Sequence, residues 1–224
     1  MRALRMVGWQ RDPELLEIPM PLPGPGEVMV RVGGAGVCHS DIHVLYEFTE
    51  SFAPWHFPLT LGHETAGWVH ALGDGVEGPD VGTPVALYGP WGCGSCRMCA
   101  EGAENYCRNA GPGAAVGGLG RDGGMAEYVI VPSPRFLVPL PDGLSPEVAA
   151  ALTDAGLTPY HAIRRADVDT SYFRINVNGA QFCFLARLQF KSKPVLVVQN
   201  RLQLVEVWFE ADWILVAKKE SLPT

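Results

Sequence analysis

Hydrophobic and polar residues alternate with period two through much of the first 140 residues. Glu27-Val28-Met29-Val30-Arg31-Val32 alternates after the turn-forming Pro23-Gly24-Pro25-Gly26 and predicts a strand. Gly67–Leu72, Gly82–Leu87 and Glu127–Pro132 predict three more. Short strands among frequent Gly and Pro predict a mainly β unit with flanking helices, a partly open antiparallel barrel. Residues 110–124 hold seven glycines and predict an exposed loop. The pattern then turns helical. Ser145-Pro146-Glu147 reads as an N-cap, a first-turn proline and an acidic first turn, and Val148–Leu152 continues it. Thr158-Pro159 repeats the start signal before Tyr160–Arg165. Beyond about residue 170 the texture changes: of 26 glycines, only Gly179 falls in the last 54 residues. Phe182–Leu185, Pro194–Val198, Leu202–Trp208 and Trp213–Val216 predict strands there.

Composition narrows the function classes. The chain has 224 residues, 47% hydrophobic and 18% charged, enough for a core of its own. Its net charge is −7, without a Lys/Arg cluster, which disfavours nucleic acid and anionic membranes as partners. The N-terminal apolar run is too short for a secretion signal, and no stretch of about 18 apolar residues predicts a membrane span. A cytoplasmic protein is expected.

Six cysteines occur, four of them within 15 residues. Without an export signal, such a cluster points to a metal rather than to a disulfide framework. In Cys93-x2-Cys96-x2-Cys99-x7-Cys107 the two-residue gaps let thiolates curl around one ion, and the longer gap brings back a fourth. Four thiolates saturate tetrahedral zinc and leave no open position, so zinc here would be structural. An iron–sulfur cluster takes the same donors, and two disulfides use the same residues.

A second, sparser set is Cys38 in Gly36-Val37-Cys38-His39-Ser40-Asp41-Ile42-His43, His63 in Gly62-His63-Glu64, and Asp154 in Leu152-Thr153-Asp154-Ala155-Gly156. One thiolate, one imidazole and one carboxylate leave the fourth tetrahedral position to water or substrate, where zinc acts as a Lewis acid. Spacing alone also fits the plainer alternative of a core thiol, a satisfied histidine and a capping aspartate.

These motifs, with the four-cysteine lobe, resemble the zinc-containing medium-chain alcohol dehydrogenases. Tyr88–Cys96 and Leu152–Ala162 look like the bacterial secondary-alcohol dehydrogenases of that family. The resemblance runs from residue 1 to about 166. It implies a GroES-like zinc catalytic domain over residues 1–150, a structural zinc lobe near 90–110, and a helical start at 151–166 of the connection to a cofactor domain. It implies that Cys38, His63 and Asp154 hold the catalytic zinc, and that Cys93, Cys96, Cys99 and Cys107 hold a second ion. Asp154 stands where many relatives carry Cys. Glu64 lies beside the zinc in relatives, and Asp41 matches the carboxylate that orients the zinc-bound imidazole. Ser40 matches the hydroxyl that takes the alcohol proton, and His43 the histidine that passes it to solvent. Ser40 equally fits the cap of a helix beginning near Asp41. His39, His56, His70 and His161 are not expected as ligands. Trp55, Phe57 and Trp91 are expected in either a substrate pocket or the core. The family implies NAD(P), a small alcohol with its aldehyde or ketone, and a homo-oligomer, an assembly this sequence does not itself specify.

The family continues into a doubly wound dinucleotide domain that begins with a glycine-rich turn and a helix. Residues 167–224 show no such turn. The GxGxxG string at Gly118–Gly123 precedes a strand and lies in the glycine-rich stretch, so it is rejected as a fingerprint. The expectation is a chain lacking the cofactor domain and ending in a β-like tail of unassigned role, with Cys183 a leftover buried thiol. Two functions remain open: a zinc alcohol dehydrogenase, and a zinc-binding but inactive fragment or interaction module. An iron–sulfur or redox protein is a third.

Overall fold

The computed structural model describes residues 1–109 and 116–165, together with strands at 187–190, 193–196, 204–209 and 212–218. They fall into two units, Met1–Gly156 and Leu157–Thr224.

The first unit carries two antiparallel sheets. Strands β1 (Arg2–Met6), β2 (Glu14–Glu17), β3 (Val28–Gly36), β4 (Leu59–Thr60), β5 (Glu64–Leu72) and β6 (Pro84–Leu87) come first, with β7 (Val116–Gly117), β8 (Gly120–Arg121), β9 (Tyr128–Val131) and β10 (Leu137–Pro139) after them. One sheet has the order β2-β1-β4 and the other β10-β6-β5-β3-β9, while β7 and β8 pair in parallel as a small third sheet. The strands predicted from alternation are present: β6 and β9 are trimmed at a glycine or proline end, β3 runs four residues further, to Gly36, and β5 starts three residues early, at Glu64.

The alternation works as expected. Val85 and Leu87 of β6, Val129 and Val131 of β9, and Val28, Val30 and Val69 form one buried cluster with Trp91, Phe136 and Leu137. Each fully buried valine stabilises the unit by about 1.5–3 kcal/mol relative to exposure. β-branched side chains suit this pleated, packed surface. A second cluster, Met6, Val44, Leu45 and Leu61, seats the inner face of helix α1 (His39–Tyr46) against Trp9, Phe48, Trp55 and Phe57.

α1 begins earlier than expected and has a different cap. Cys38, with extended backbone, is the N-cap, and Ser40 sits inside the first turn. The reason is reciprocal bonding: the Cys38 N–H donates to Asp41 Oδ2 at 2.9 Å, and the Asp41 N–H donates to the Cys38 carbonyl at 3.0 Å. Helix α2 (Arg97–Ala100) lies in the cysteine lobe. Helix α3 (Pro146–Ala149) starts after Ser145 as predicted, then tightens into a 3₁₀ turn at Ala150–Leu152.

The glycine-rich stretch corrects an expectation. Within its described part, Gly117, Gly118, Gly123 and Gly124 are buried. The N–H groups of Gly123, Gly124 and Met125 donate to the carbonyls of Thr60, Gly62 and Leu61 at 2.8–2.9 Å. The glycines are there because backbone packs on backbone, not because the loop is exposed.

In the second unit, helix α4 (Leu157–Arg165) begins one residue before Thr158-Pro159. Strands β11 (Arg187–Phe190) and β12 (Lys193–Leu196) pair antiparallel, as do β13 (Leu204–Phe209) and β14 (Asp212–Lys218). β11 was not foreseen; Phe182–Leu185 and Cys183 lie outside the described residues. No doubly wound sheet occurs among the described residues, and none of their helices is long and apolar enough to cross a membrane.

Candidate metal centres

The cysteine lobe folds around its sulfurs. Cys96 caps α2 and Cys99 lies within it. The ligand atoms of Cys93, Cys96, Cys99 and Cys107 all lie within 4.8 Å of one another. The Cys96 sulfur is 3.5 Å from that of Cys99 and 3.9 Å from that of Cys107. A tetrahedron with Zn–S bonds of about 2.3 Å has edges of about 3.8 Å. The sulfurs therefore converge on one point instead of pairing off as disulfides.

Backbone donors prepare the lobe for negative charge. The Cys93 N–H points at Cys107 Sγ at 3.2 Å, and the Cys96 N–H at Cys93 Sγ at 3.3 Å. The Asn109 side-chain amide also donates to Cys93 Sγ, at 3.4 Å. Reading cysteine spacing alone missed Asn109. Arg135 ties the lobe to the sheet by a 2.8 Å pair with Glu104, its guanidinium lying over Phe136.

The Ser95 hydroxyl, with the Ser95 and Cys96 N–H groups, holds the Cys93 thiol down at about 5, whereas burial pushes Cys99 up to about 11. Zinc binds thiolates, so loading this lobe is expected to release protons, with Cys99 contributing more than Cys93. The count should rise as pH falls toward 5 and Cys93 becomes protonated. Calorimetric titration of a His63→Gln chain in buffers of different ionisation enthalpy gives the count. A flat count over that range contradicts the assignment.

The second group brings together residues far apart in sequence. Cys38 caps α1, His63 precedes β5, and Asp154 follows the 3₁₀ turn after α3. Their ligand atoms also lie within 4.8 Å of one another. His63 Nε2 is 3.4 Å from Asp154 Oδ2, and His63 Nδ1 is 3.4 Å from Asp41 Oδ1. The His63 and Asp41 side chains are each 3% exposed. Among the described residues neither His63 nitrogen has a well-formed hydrogen bond. Each nitrogen faces a carboxylate oxygen at 3.4 Å without an aligned hydrogen bond, and a cation shared with Asp154 would satisfy Nε2 better. The 3.4 Å from Nε2 to Asp154 also matches the roughly 3.4 Å N···O edge of a tetrahedral zinc site. Zinc fits these donors.

Burial works against the His63 imidazolium, but the carboxylates of Asp154 and Asp41 and the Cys38 thiol outweigh it and raise the ring to about 11. The surroundings are built for positive charge. Glu64, 2% exposed, is raised by burial, while its Oε1 accepts the Ala155 N–H at 2.7 Å. That bond anchors the Asp154 loop to β5.

Beside this trio opens a cavity of about 410 Å³. Ser40, His43, Phe48, Phe52, Trp55 and Leu119 are among its lining residues. Ser40 Oγ is 3.6 Å from Cys38 Sγ. Trp55 is thus a lining residue, Phe57 packs edge-on against Trp9, and Trp91 is core. Phe48 and Phe52 were not foreseen, although Phe48 follows Val44 and Ser40 at four-residue steps. His39, His56, His70 and His161 belong to neither ligand group.

Known proteins share this sequence pattern and fold. The family described as the alcohol dehydrogenase GroES-like domain matches residues 24–142. An NAD-dependent alcohol dehydrogenase from Sulfurisphaera tokodaii is 39% identical over 178 residues, 76% of this chain and 49% of that protein. A D-arabinose 1-dehydrogenase (NADP(+)) from Saccharolobus solfataricus is 40% identical over 150 residues, 67% of this chain and 41% of that one. A cobalt- and zinc-bound thermostable alcohol dehydrogenase from Pyrobaculum aerophilum superposes with a TM-score of 0.63 at 32% identity, over 74% of this chain and 49% of that structure. The chain spans about half the length of the curated relatives it matches.

Proposed function

This chain belongs to the alcohol dehydrogenase GroES-like domain family, and from that premise we propose that it is the metal-holding, alcohol-binding half of a zinc- and NAD(P)-dependent alcohol dehydrogenase. The observation that carries the reading is the convergence of Cys38, His63 and Asp154 beside a cavity that holds Ser40 and His43. When bound there, zinc supplies Lewis acidity to an alcohol oxygen, and a nicotinamide supplies the hydride acceptor.

The chain's own residues do the rest. Cys38, His63 and Asp154 hold the reactive ion, and Asp41, facing His63 Nδ1, fixes the ring with Nε2 toward it. Ser40 Oγ takes the alcohol proton and His43 carries it outward. Glu64 holds the Asp154 loop in place through Ala155. Cys93, Cys96, Cys99 and Cys107 hold a structural zinc that organises the lobe. Phe48, Phe52, Trp55 and Leu119 give the cavity an apolar lining that favours an alcohol with an apolar substituent. A polyol would set hydroxyls against that apolar lining, at up to about 1–3 kcal/mol for each one left without a partner.

Elemental analysis is expected to find about two zinc ions per chain, falling to about one in Cys38→Ser with the cysteine lobe still loaded. The zinc-loaded chain is expected to bind 1-phenylethanol about tenfold or more tighter than D-arabinose, read by the fluorescence of Trp55 beside the cavity. Less than one zinc per chain refutes the metal assignment; loaded zinc with a preference for arabinose refutes the substrate class alone.

A further inference from the structure

We propose that Glu47 is a positioning residue that sets the tautomer of His43 and opens its proton path to water. The inference rests on the alcohol dehydrogenase reading, in which His43 carries the proton that Ser40 receives.

The geometry begins with helix periodicity. His43 and Glu47 are four residues apart at the end of α1, so their side chains share one face of the helix. His43 Nδ1 and Glu47 Oε2 are 2.6 Å apart. A carboxylate can only accept, so the proton in this bond sits on His43 Nδ1. Nδ1–H donating to Glu47 leaves Nε2 with the lone pair, free to take a proton from a donor in the cavity His43 lines. The carboxylate also stabilises the imidazolium formed on transfer, the role a buried acid plays in a catalytic triad. Glu47 differs in being 57% exposed, so the Nδ1 proton leaves through it to bulk water. One proton enters at Nε2 and one departs from Nδ1, which leaves the ring as the Nε2–H tautomer; proton exchange with water then restores the Nδ1–H form that the Glu47 bond favours.

The surroundings of His43 agree. Its ring lies 4.7 Å from the His39 ring and 6.2 Å from the Phe48 ring, with which it stacks at 19°. These contacts restrict the plane of the imidazole, while the Glu47 bond chooses which nitrogen is protonated. His39 is the other titratable group against the ring, and no carboxylate other than Glu47 is paired with it among the described residues.

The test needs no turnover. Nitrogen-15 correlation spectra of the full zinc-loaded chain, with His43 assigned by His43→Gln, report the tautomer of the neutral ring. Wild type is expected to show the Nδ1–H form, and Glu47→Ala to shift the tautomer ratio toward Nε2–H by roughly tenfold or more. Glu47→Gln, which keeps an acceptor without the charge, should fall between the two. Unchanged far-ultraviolet circular dichroism and zinc content control for the helix and for the metal reading. A wild-type ring in the Nε2–H form, or a ratio indifferent to Glu47→Ala while zinc remains bound, overturns the proposal. Zinc absent from the chain would instead count against the dehydrogenase reading, whatever His43 shows.

Discussion

Replacing His63 with alanine is expected to destabilise the metal-free chain by about 3–5 kcal/mol and to abolish the further stabilisation that zinc gives at this site. His63 is packed between two carboxylates, and its side chain and that of Asp41 are each 3% exposed. Without metal the imidazolium is the positive charge that faces both of them. Alanine leaves the Asp41 carboxylate buried opposite a cavity, which is the costly way to break an ion pair. The pH dependence follows from the raised pKa of about 11. A raised group stabilises fully below its unfolded value of about 6.5 and loses that contribution as pH climbs through the folded value. The penalty is therefore nearly complete at pH 7 and fades toward pH 11. Zinc reverses the dependence, because it needs the neutral ring, so its stabilisation of the wild type grows with pH. Urea denaturation of both chains, with and without zinc, at pH 6 and pH 9 measures each part. A variant as stable as the wild type without metal, or one that gains as much from zinc, sinks the assignment.

How much of this was legible depended on whether the signal was local. The cysteine lobe was readable because all four ligands fall within 15 residues, and the gap lengths themselves fit one ion. The strands of the larger sheet were readable because Val85/Leu87 and Val129/Val131 each carry the period of two. The trio was not readable from spacing, since its members are separated by 25 and 91 positions; only family likeness joined them, and the structure now places their ligand atoms together. The alternative that made Ser40 the cap of α1 does not hold. The Cys38–Asp41 pair supplies the capping bond instead, two residues earlier than a serine-based reading allows. The glycine-rich stretch was misread because composition cannot distinguish a glycine that frees a loop from one that admits another backbone.

That second kind of glycine gives the other large expected effect. Gly62→Ala should cost about 2–5 kcal/mol and weaken zinc at the trio while leaving the cysteine lobe loaded. Two penalties combine. Gly62 has φ +96°, a region where a Cβ strains the backbone. The added carbon would also lie 2.7 Å from the backbone nitrogen of Met125, the atom that donates to Leu61. Relief requires the 60–62 segment to part from 123–125, giving up some of the three hydrogen bonds that dock them. His63 is the next residue, so the displacement moves its ring away from Cys38 and Asp154. Gly75→Ala separates the terms: its φ is +72°, yet nothing lies within 4 Å of the added carbon, so it carries strain alone. At about 2–4 °C per kcal/mol for a chain of this size, Gly62→Ala should melt several degrees below Gly75→Ala. Equal melting temperatures would mean that the glycine-rich stretch does not press on the segment that carries His63, and the packing account of that stretch would fail with them.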